Sequence, residues 1–195
     1  MIKIPSFQYS VIIGLILSDG WLICSHRSKN VNLFLKQSLD RSAYVWSVFS
    51  ILSHYCSSGP NLVSGIRAGK RNYGLQFFTR ALPCFTEIYS LFYPNGVKIV
   101  PENIYELLTP PALAHIIMGD GSAKTHGLTL CTDSFSIEDI VRLMNVLIIR
   151  YDFNCTLPHE YKGHYRIYIS RKFMEKVRTT VKAPMIPSML YKIGK

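Results

Sequence analysis

Hydrophobic residues recur along this chain in two periods, and the same succession of periods occurs twice. Residues 9–19 form an almost wholly apolar run, read as a helix, closed by Asp19-Gly20. A strand over 21–27 and a polar turn over 25–30 lead into a second strand over 31–37. There Val31, Leu33 and Leu35 point one way and Asn32 and Lys36 the other, with Phe34 breaking the polar face. Asp40 then caps a helix to residue 56, with Trp46, Phe49, Leu52 and Cys56 at helical spacing, and Gly59-Pro60 stops it. A hairpin follows over 62–68 and 73–79, turning on Gly69-Lys70-Arg71-Asn72. Residues 80–92 read as a helix with Pro83 in its first turn, where proline is tolerated. A linker over 93–101 and a short helix within 102–108 complete the first pass.

The pattern then restarts. Thr109-Pro110 is a helix start, a cap followed by proline at the first helical position, and the helix runs to Asp120-Gly121. Residues 122–132 form a hairpin turning near His126-Gly127. Ser136, with Asp139 three residues on, opens a helix to residue 150 whose apolar face is Ile137, Ile140, Val141, Met144, Leu147 and Ile148. Strands over 155–160 and 164–170 turn at Lys162-Gly163, with Tyr165, Ile167 and Ile169 on one face and Arg166, Tyr168 and Ser170 on the other. A helix over 172–181 and a segment over 186–192 end the chain. Helix, hairpin, helix, hairpin, helix thus occurs twice, an internal duplication. The expected fold is α+β, two pseudo-symmetric αββαββα halves, each with a four-stranded antiparallel sheet covered by helices on one face. The halves are 1–98 and 109–195, with a linker at 99–108. The free faces of the sheets should be polar and basic.

Charge narrows the function. The 195 residues carry 22 Lys and Arg against 12 Asp and Glu, a net charge of +10. A folded protein this basic meets a polyanion. The longest apolar run, 11–17, is far shorter than the ~20 residues a spanning helix needs, so a membrane partner is not expected. Residues 1–5 lack the charged start and cleavage site of a signal peptide. Five cysteines without a CxxC suggest reduced thiols in an intracellular compartment and no zinc site. His54, His115 and His164 have no ligand spacing, and His115, in an apolar helix, reads as a packed residue.

The candidate chemistry lies in the two Asp-Gly pairs. A carboxylate at a helix C-terminus meets the negative end of the helix dipole, and two such ends side by side are worse. A divalent cation resolves the conflict. Asp19 and Asp120, with backbone oxygens of Ser18 and Gly119, offer the hard oxygen set that suits Mg²⁺, with Mn²⁺ able to substitute. Such ions activate water and stabilise the leaving oxygen of a phosphodiester. Gly14 and Ser18 share a helical face and permit close approach of a partner helix, to which Ala114 and Gly119 contribute less regularly.

These stretches resemble the paired motifs of single-chain LAGLIDADG homing endonucleases. Gly14, Leu15, Ile16, Asp19 and Gly20 match the first motif, and Leu113, Ala114, Ile117, Asp120 and Gly121 the second. Ile13 stands where a small residue is usual and His115 at the usual glycine, departures that concern the helix seam and not the carboxylates. The segments 98–101, 109–110 and 186–192 resemble the omega-intron endonuclease branch in particular. The resemblance implies a saddle over DNA, packed through the two motif helices, that binds a long asymmetric duplex. It implies cleavage of one phosphodiester per strand across the minor groove, leaving short 3′ overhangs. The motif aspartates would bind the metals, and Lys98 and Lys192, one per half, would act as catalytic lysines that polarise solvent or stabilise phosphate charge.

The resemblance also implies that the sheets lie in the major groove. Candidate DNA contacts are Arg27, Lys29, Asn32 and Lys36, then Arg67, Lys70, Arg71 and Gln76. In the second half they are Lys124, His126, Thr129, His159, Lys162, Arg166 and Tyr168. Charged residues at turns suit phosphates; Arg, Asn and Gln on strand faces suit base edges. The aromatic residues 44, 46, 49, 55, 77, 85, 89 and 92 are expected in the core. The competing readings are an intron RNA maturase on the same fold, a non-catalytic DNA-binding regulator, and a small-molecule enzyme with an Asp pair. Both motif acids are present, which favours the endonuclease. One chain with both halves implies a monomer, and an intron setting makes a mitochondrion or chloroplast the expected compartment.

Overall fold

The apolar run at the start of the chain is helix α1 (Ser6–Ile16), every residue of which from Ser10 onward is buried. Its counterpart α5 (Pro110–Asp120) is buried from Ala112 to Gly119. A helix that is apolar all round needs cover on all sides, and here each packs against the other and against its own half. The computed structural model describes residues 3–24, 29–158 and 164–195, with Arg67 described through its backbone alone.

Around this pair the duplication is explicit. The first half holds β1 (Gly20–Cys24), β2 (Val31–Ser38), α2 (Ser42–Leu52), β3 (Asn61–Arg67), β4 (Lys70–Phe78) and α3 (Pro83–Phe92). The linker carries α4 (Ile104–Leu107). The second half holds β5 (Gly121–Lys124), β6 (Gly127–Cys131), α6 (Ile137–Tyr151), β7 (Cys155–Thr156), β8 (Arg166–Ser170) and α7 (Met174–Val181). Both sheets are antiparallel and share one strand order, β1-β2-β4-β3 and β5-β6-β8-β7. Gly20 pairs with Leu35 as Gly121 pairs with Leu130, so the registers match as well. One continuous core runs through both halves.

Several elements depart from the sequence pattern. The first helix starts earlier than expected and stops at Ile16. The amide of Ser18 turns to Leu15 O at 3.0 Å and its hydroxyl to Gly14 O at 2.8 Å, which tightens the last turn. Asp19 therefore lies on the connection to β1, whereas Asp120 is the last residue of α5. Asp40 does not cap a long helix. Residues Leu39–Arg41 form a 3-10 turn without a side-chain cap, and α2 follows from Ser42. This sets the buried face to Tyr44, Val45, Val48 and Leu52, and Trp46 is 49% exposed rather than core.

The β3–β4 hairpin turns on Ala68-Gly69, both at positive φ, which a two-residue turn matched to strand twist requires. That places Lys70 and Arg71 in β4 and not in the turn. On α6 the buried side is Ile140, Leu143, Val146 and Leu147, together with Asp139, while Ile137, Val141 and Ile148 are exposed. Asp139 pairs with Arg142 at 2.8 Å, and Arg142 reaches the linker at Val100 O, which rotates the helix onto that side. The caps on Thr109 and Ser136 form as expected, accepting from the amides of Ala112 and Asp139.

The α1–α5 seam alternates small against large. A Cβ on Gly14 would lie 2.3 Å from Ala112 O and 2.6 Å from His115 Cβ. A Cβ on Gly119 would lie 2.7 Å from Ser18 Cβ. In the motif alignment Gly14 corresponds to His115 and Ser18 to Gly119, so each level of the seam pairs a glycine with its larger counterpart. The departure at His115 is thus accommodated by Gly14. Tyr44 Oη meets His115 Nδ1 at 2.9 Å, tying α2 across the seam. Burial pushes the His115 pKa down to about 3 and raises that of Tyr44, so both are neutral.

Gly14→Ala should force the helices apart against a backbone oxygen that cannot yield. A loss of about 2 kcal/mol is expected, a fall in Tm of roughly 4–8 °C. Thermal unfolding followed by circular dichroism checks this, and an unchanged Tm would mean that the seam is not closely packed at Gly14.

Candidate active site and nucleic-acid interface

The seam delivers both motif carboxylates to one end of the helix pair. A cleft of about 490 Å³ opens there, lined by Asp19, Asp120, Arg41, Tyr191 and Lys192 among others. Asp120 titrates high, at about 6, because it is buried and because Asp19 repels its charge. Lys98, Lys192 and Arg41 oppose the shift without cancelling it. Two carboxyl groups in one partly buried cleft therefore repel each other, and burial adds the larger cost of charging Asp120.

The two lysines expected near the site are both there. Lys192, only 4% exposed, donates to Gly119 O at 2.9 Å and Gly121 O at 2.7 Å. Lys98 donates to Ser18 O at 3.4 Å and lies 5.1 Å from the Phe135 ring centroid. Each ammonium therefore sits at the end of its own half's motif segment, where the helix dipole is negative. Burial, the largest influence, pushes Lys192 down to about 8 and lowers Lys98 as well. The carbonyls of Ser18 and Gly119, expected as metal ligands, already accept these bonds, and each retains a second lone pair.

Gln37 and Arg41 belong to the site and were not singled out from the sequence. Gln37 Nε2 donates to Asp19 Oδ2 at 2.5 Å, and Arg41 lies 3.7 Å from the same oxygen and 3.2 Å from Gln37 Oε1. The available signal was Gln37 itself, a polar residue that continues the buried stripe Val31, Leu33, Leu35. By strand register its counterpart in the second half is Thr132, whose hydroxyl is spent on Tyr165 O at 2.6 Å. Among the described residues no side chain clamps Asp120 as Gln37 and Arg41 clamp Asp19.

The donor set fits a hard divalent cation. It offers two carboxylates with backbone oxygens, the ligand type that such an ion takes; among the described residues no group of three or more His, Cys, Asp or Glu is placed to hold a metal ion.

From this site the sheets present their free faces. Lys29, Lys36, Lys70, Arg71, Lys124 and His126 are exposed, and Gln76 is half-buried opposite Lys36. Asn32 donates to Thr79 O at 2.7 Å. Arg166 forms a two-point pair with Asp133 at 3.0 and 2.9 Å, and Tyr168 donates to His126 O at 2.6 Å. Thr129 is nearly covered at 7% exposure. Arg27, His159 and Lys162 lie outside the described residues, as does the side chain of Arg67. No helix among the described residues is long and apolar enough to cross a membrane.

Two duplicated half-domains, joined at a glycine-lined helix seam with one carboxylate from each at its end, define the single-chain, two-motif LAGLIDADG proteins. A model of the LAGLIDADG DNA endonuclease family matches residues 9–177, and the chain belongs to that family. It is 28% identical over 186 residues to the cytochrome b mRNA maturase bI2 of Debaryomyces hansenii, covering 93% of this chain and 71% of that one. The maturase of the same name from Saccharomyces cerevisiae is 31% identical over 199 residues; 95% of this chain spans about half, 47%, of its length. The homing endonuclease I-WcaI, solved bound to its DNA recognition sequence, superimposes with a TM-score of 0.91 at 26% identity, over 99% of this chain and 88% of that one.

The raised Asp120 carboxyl makes a signed prediction for the metal-free protein. Folded Asp120 binds its proton more tightly than the unfolded chain does. Its contribution to stability is therefore complete below the unfolded value of about 3.9 and is lost as pH rises through about 6. Asp120→Asn removes that loss. After discounting for partial exposure, the variant should be more stable than the parent by about 1–2 kcal/mol at pH 7.5 and equal to it near pH 4. Urea denaturation in EDTA at the two pH values measures this; equal stability at pH 7.5 would place Asp120 in an ordinary solvated setting.

Proposed function

We propose that the chain is a site-specific homing endonuclease that binds a long, asymmetric DNA duplex and hydrolyses one phosphodiester in each strand, leaving short 3′ overhangs. The observation that carries this reading is the carboxylate pair at the end of the seam, flanked by the buried Lys192 and the half-buried Lys98 and set between two basic sheets. The family model and the likeness to a DNA-bound homing endonuclease support it.

Mg²⁺, or Mn²⁺ in its place, held by Asp19 and Asp120 with the backbone oxygens of Ser18 and Gly119, would supply the charge that acidifies a water and neutralises the departing oxygen. The chain's own groups do the rest. Gln37 and Arg41 fix the orientation of the Asp19 carboxylate. Lys192, with a pKa of about 8, can hold or release a proton close to neutral pH, which suits a group that polarises solvent or protonates an oxygen. Lys98 adds positive charge from the other side. Lys36, Lys70, Arg71 and Lys124 are suited to phosphates and Gln76 to a base edge. The remaining candidates, Lys29, Asn32, His126, Thr129, Arg166 and Tyr168, line the same faces, some through bonds already made within the sheet. Both half-sites are read by one chain, which supports a monomer.

A second reading, an RNA maturase that assists intron splicing, is favoured by relatives that carry that name. Their description by a cytochrome b mRNA also supports an organellar, mitochondrial setting.

Incubation with a randomised duplex library in Mg²⁺, followed by sequencing of the ends, separates these. Clustered double-strand breaks at one long motif are expected, absent in the Asp19→Asn, Asp120→Asn variant and in EDTA. Arg41→Ala should slow cleavage by about two orders of magnitude with target binding little changed. Enrichment of bound duplex without breaks would overturn the endonuclease, and selective binding of intron transcripts instead of duplex would favour the maturase.

A further inference from the structure

The free face of the first sheet is not uniformly polar. Trp21, Phe34 and Phe78 stand in one cross-strand row, paired Trp21 with Phe34 and Phe34 with Phe78. Their ring centroids are 4.3 and 6.4 Å apart, at interplanar angles of 32° and 5°. Trp21 is 36% and Phe78 41% exposed, and Ile23, next along β1 on the same face, is 43% exposed. The inner face of the same strands is already filled by Leu22, Leu33, Leu35 and Phe77, so this row adds nothing to the core. A contiguous exposed apolar strip of this kind marks a contact surface.

Its position identifies the contact. Trp21 is two residues beyond Asp19, about 7 Å along the strand, and it lines the same cleft as Asp19, Lys36 and Gln37. The duplicated half shows that the fold does not require an apolar row. By register, Trp21, Phe34 and Phe78 correspond to Ser122, Thr129 and Tyr168, a row of three hydroxyls. The two halves thus differ at equivalent positions: the first row is wholly apolar, whereas each side chain of the second carries a hydroxyl, Thr129 is only 7% exposed and the Tyr168 hydroxyl is spent on His126 O. In a major groove the apolar feature on a base edge is the C5-methyl group of thymine.

We infer that Trp21, Phe34 and Phe78 read thymine methyl groups in the half-site under the N-terminal sheet, and that the hydroxyl row of the other half does not. The inference rests on the DNA reading above and adds a specificity determinant to it. The two ends of the target should therefore differ, with thymine favoured on one side of the cleavage centre and no such demand at the mirror positions.

The test uses the duplex recovered by selection, with thymines replaced by deoxyuridine in one half-site at a time. This substitution removes the methyl group and leaves base pairing unchanged. Dissociation constants are measured in EDTA with the unaltered protein. One half-site should lose roughly threefold to fivefold in affinity per methyl removed from the strip, and the other should be unaffected. Phe34→Ser, which removes the central ring of the row and leaves no methyl group in its place, should reduce the thymine–uracil difference in that half-site and leave the other half-site unchanged. Equal affinity for thymine and uracil duplexes in both halves would overturn the inference while leaving the DNA reading intact. So would a selected target without thymine near its centre, or tighter binding of single strands, which would make the row a stacking platform. Recovery of no duplex at all would overturn the DNA reading and the inference together.

Discussion

Everything in this molecule depends on how closely α1 and α5 approach. With Gly14 against the Ala112 carbonyl and His115 Cβ, and Gly119 against the Ser18 side chain, each level of the seam has a side chain from one helix only, and the backbones come close. Only that contact brings the two chain reversals, and the aspartates on them, to one place. The first strand of each sheet begins directly after its aspartate, so the same contact also sets where the two sheets start relative to the site. Seam, acid pair and reading faces are thus one geometric unit. The small–large alternation at the seam explains how a histidine is tolerated in the second motif: the space it needs is the space Gly14 leaves.

The seam creates an electrostatic conflict that the rest of the site answers unequally. Carboxylates at helix ends are disfavoured, and burial adds to the cost. Lys98 and Lys192 cover the carbonyl ends, and Gln37 with Arg41 hold Asp19. The second half has Thr132 in place of Gln37, and Asp120 keeps a raised pKa because burial and Asp19 outweigh the nearby lysines and Arg41. Two halves that share a fold and a strand order have therefore diverged at the acid clamp, as they have at the outer row of the sheet. A duplicated scaffold with unequal halves suits an asymmetric duplex.

What was legible in the sequence follows from the range of the forces involved. The caps at Thr109 and Ser136 were legible because the bond runs to an amide three residues away. The alternation in β2 and the doubled succession of elements were legible for the same local reason. The limits of α1 were not, because a helix apolar on all sides shows no periodic face, and its end was tightened by a Ser18 bond back to Gly14. The face of α6 was not legible because apolar residues lie on both its buried and its exposed sides, and the Asp139–Arg142 link to Val100 decides the rotation. Gln37 and Arg41 acquire meaning only through strand register and the opposing helix end, which no local pattern encodes. The aspartates and lysines were legible through the repeat and the family resemblance, and the cleft brings them together.

The seam forces Asp19 and Asp120 into one mutually repelling acid pair whose donors suit a divalent cation. The direct measurement is a carboxyl-carbon NMR titration of the two residues, without and with Mg²⁺ and with Asp19→Asn as reference. Asp120 should titrate at about 6 without metal, and either Mg²⁺ or loss of the Asp19 charge should bring it back toward the ordinary carboxylate range. An Asp120 that titrates as an ordinary carboxylate in all three states would contradict the account at its root.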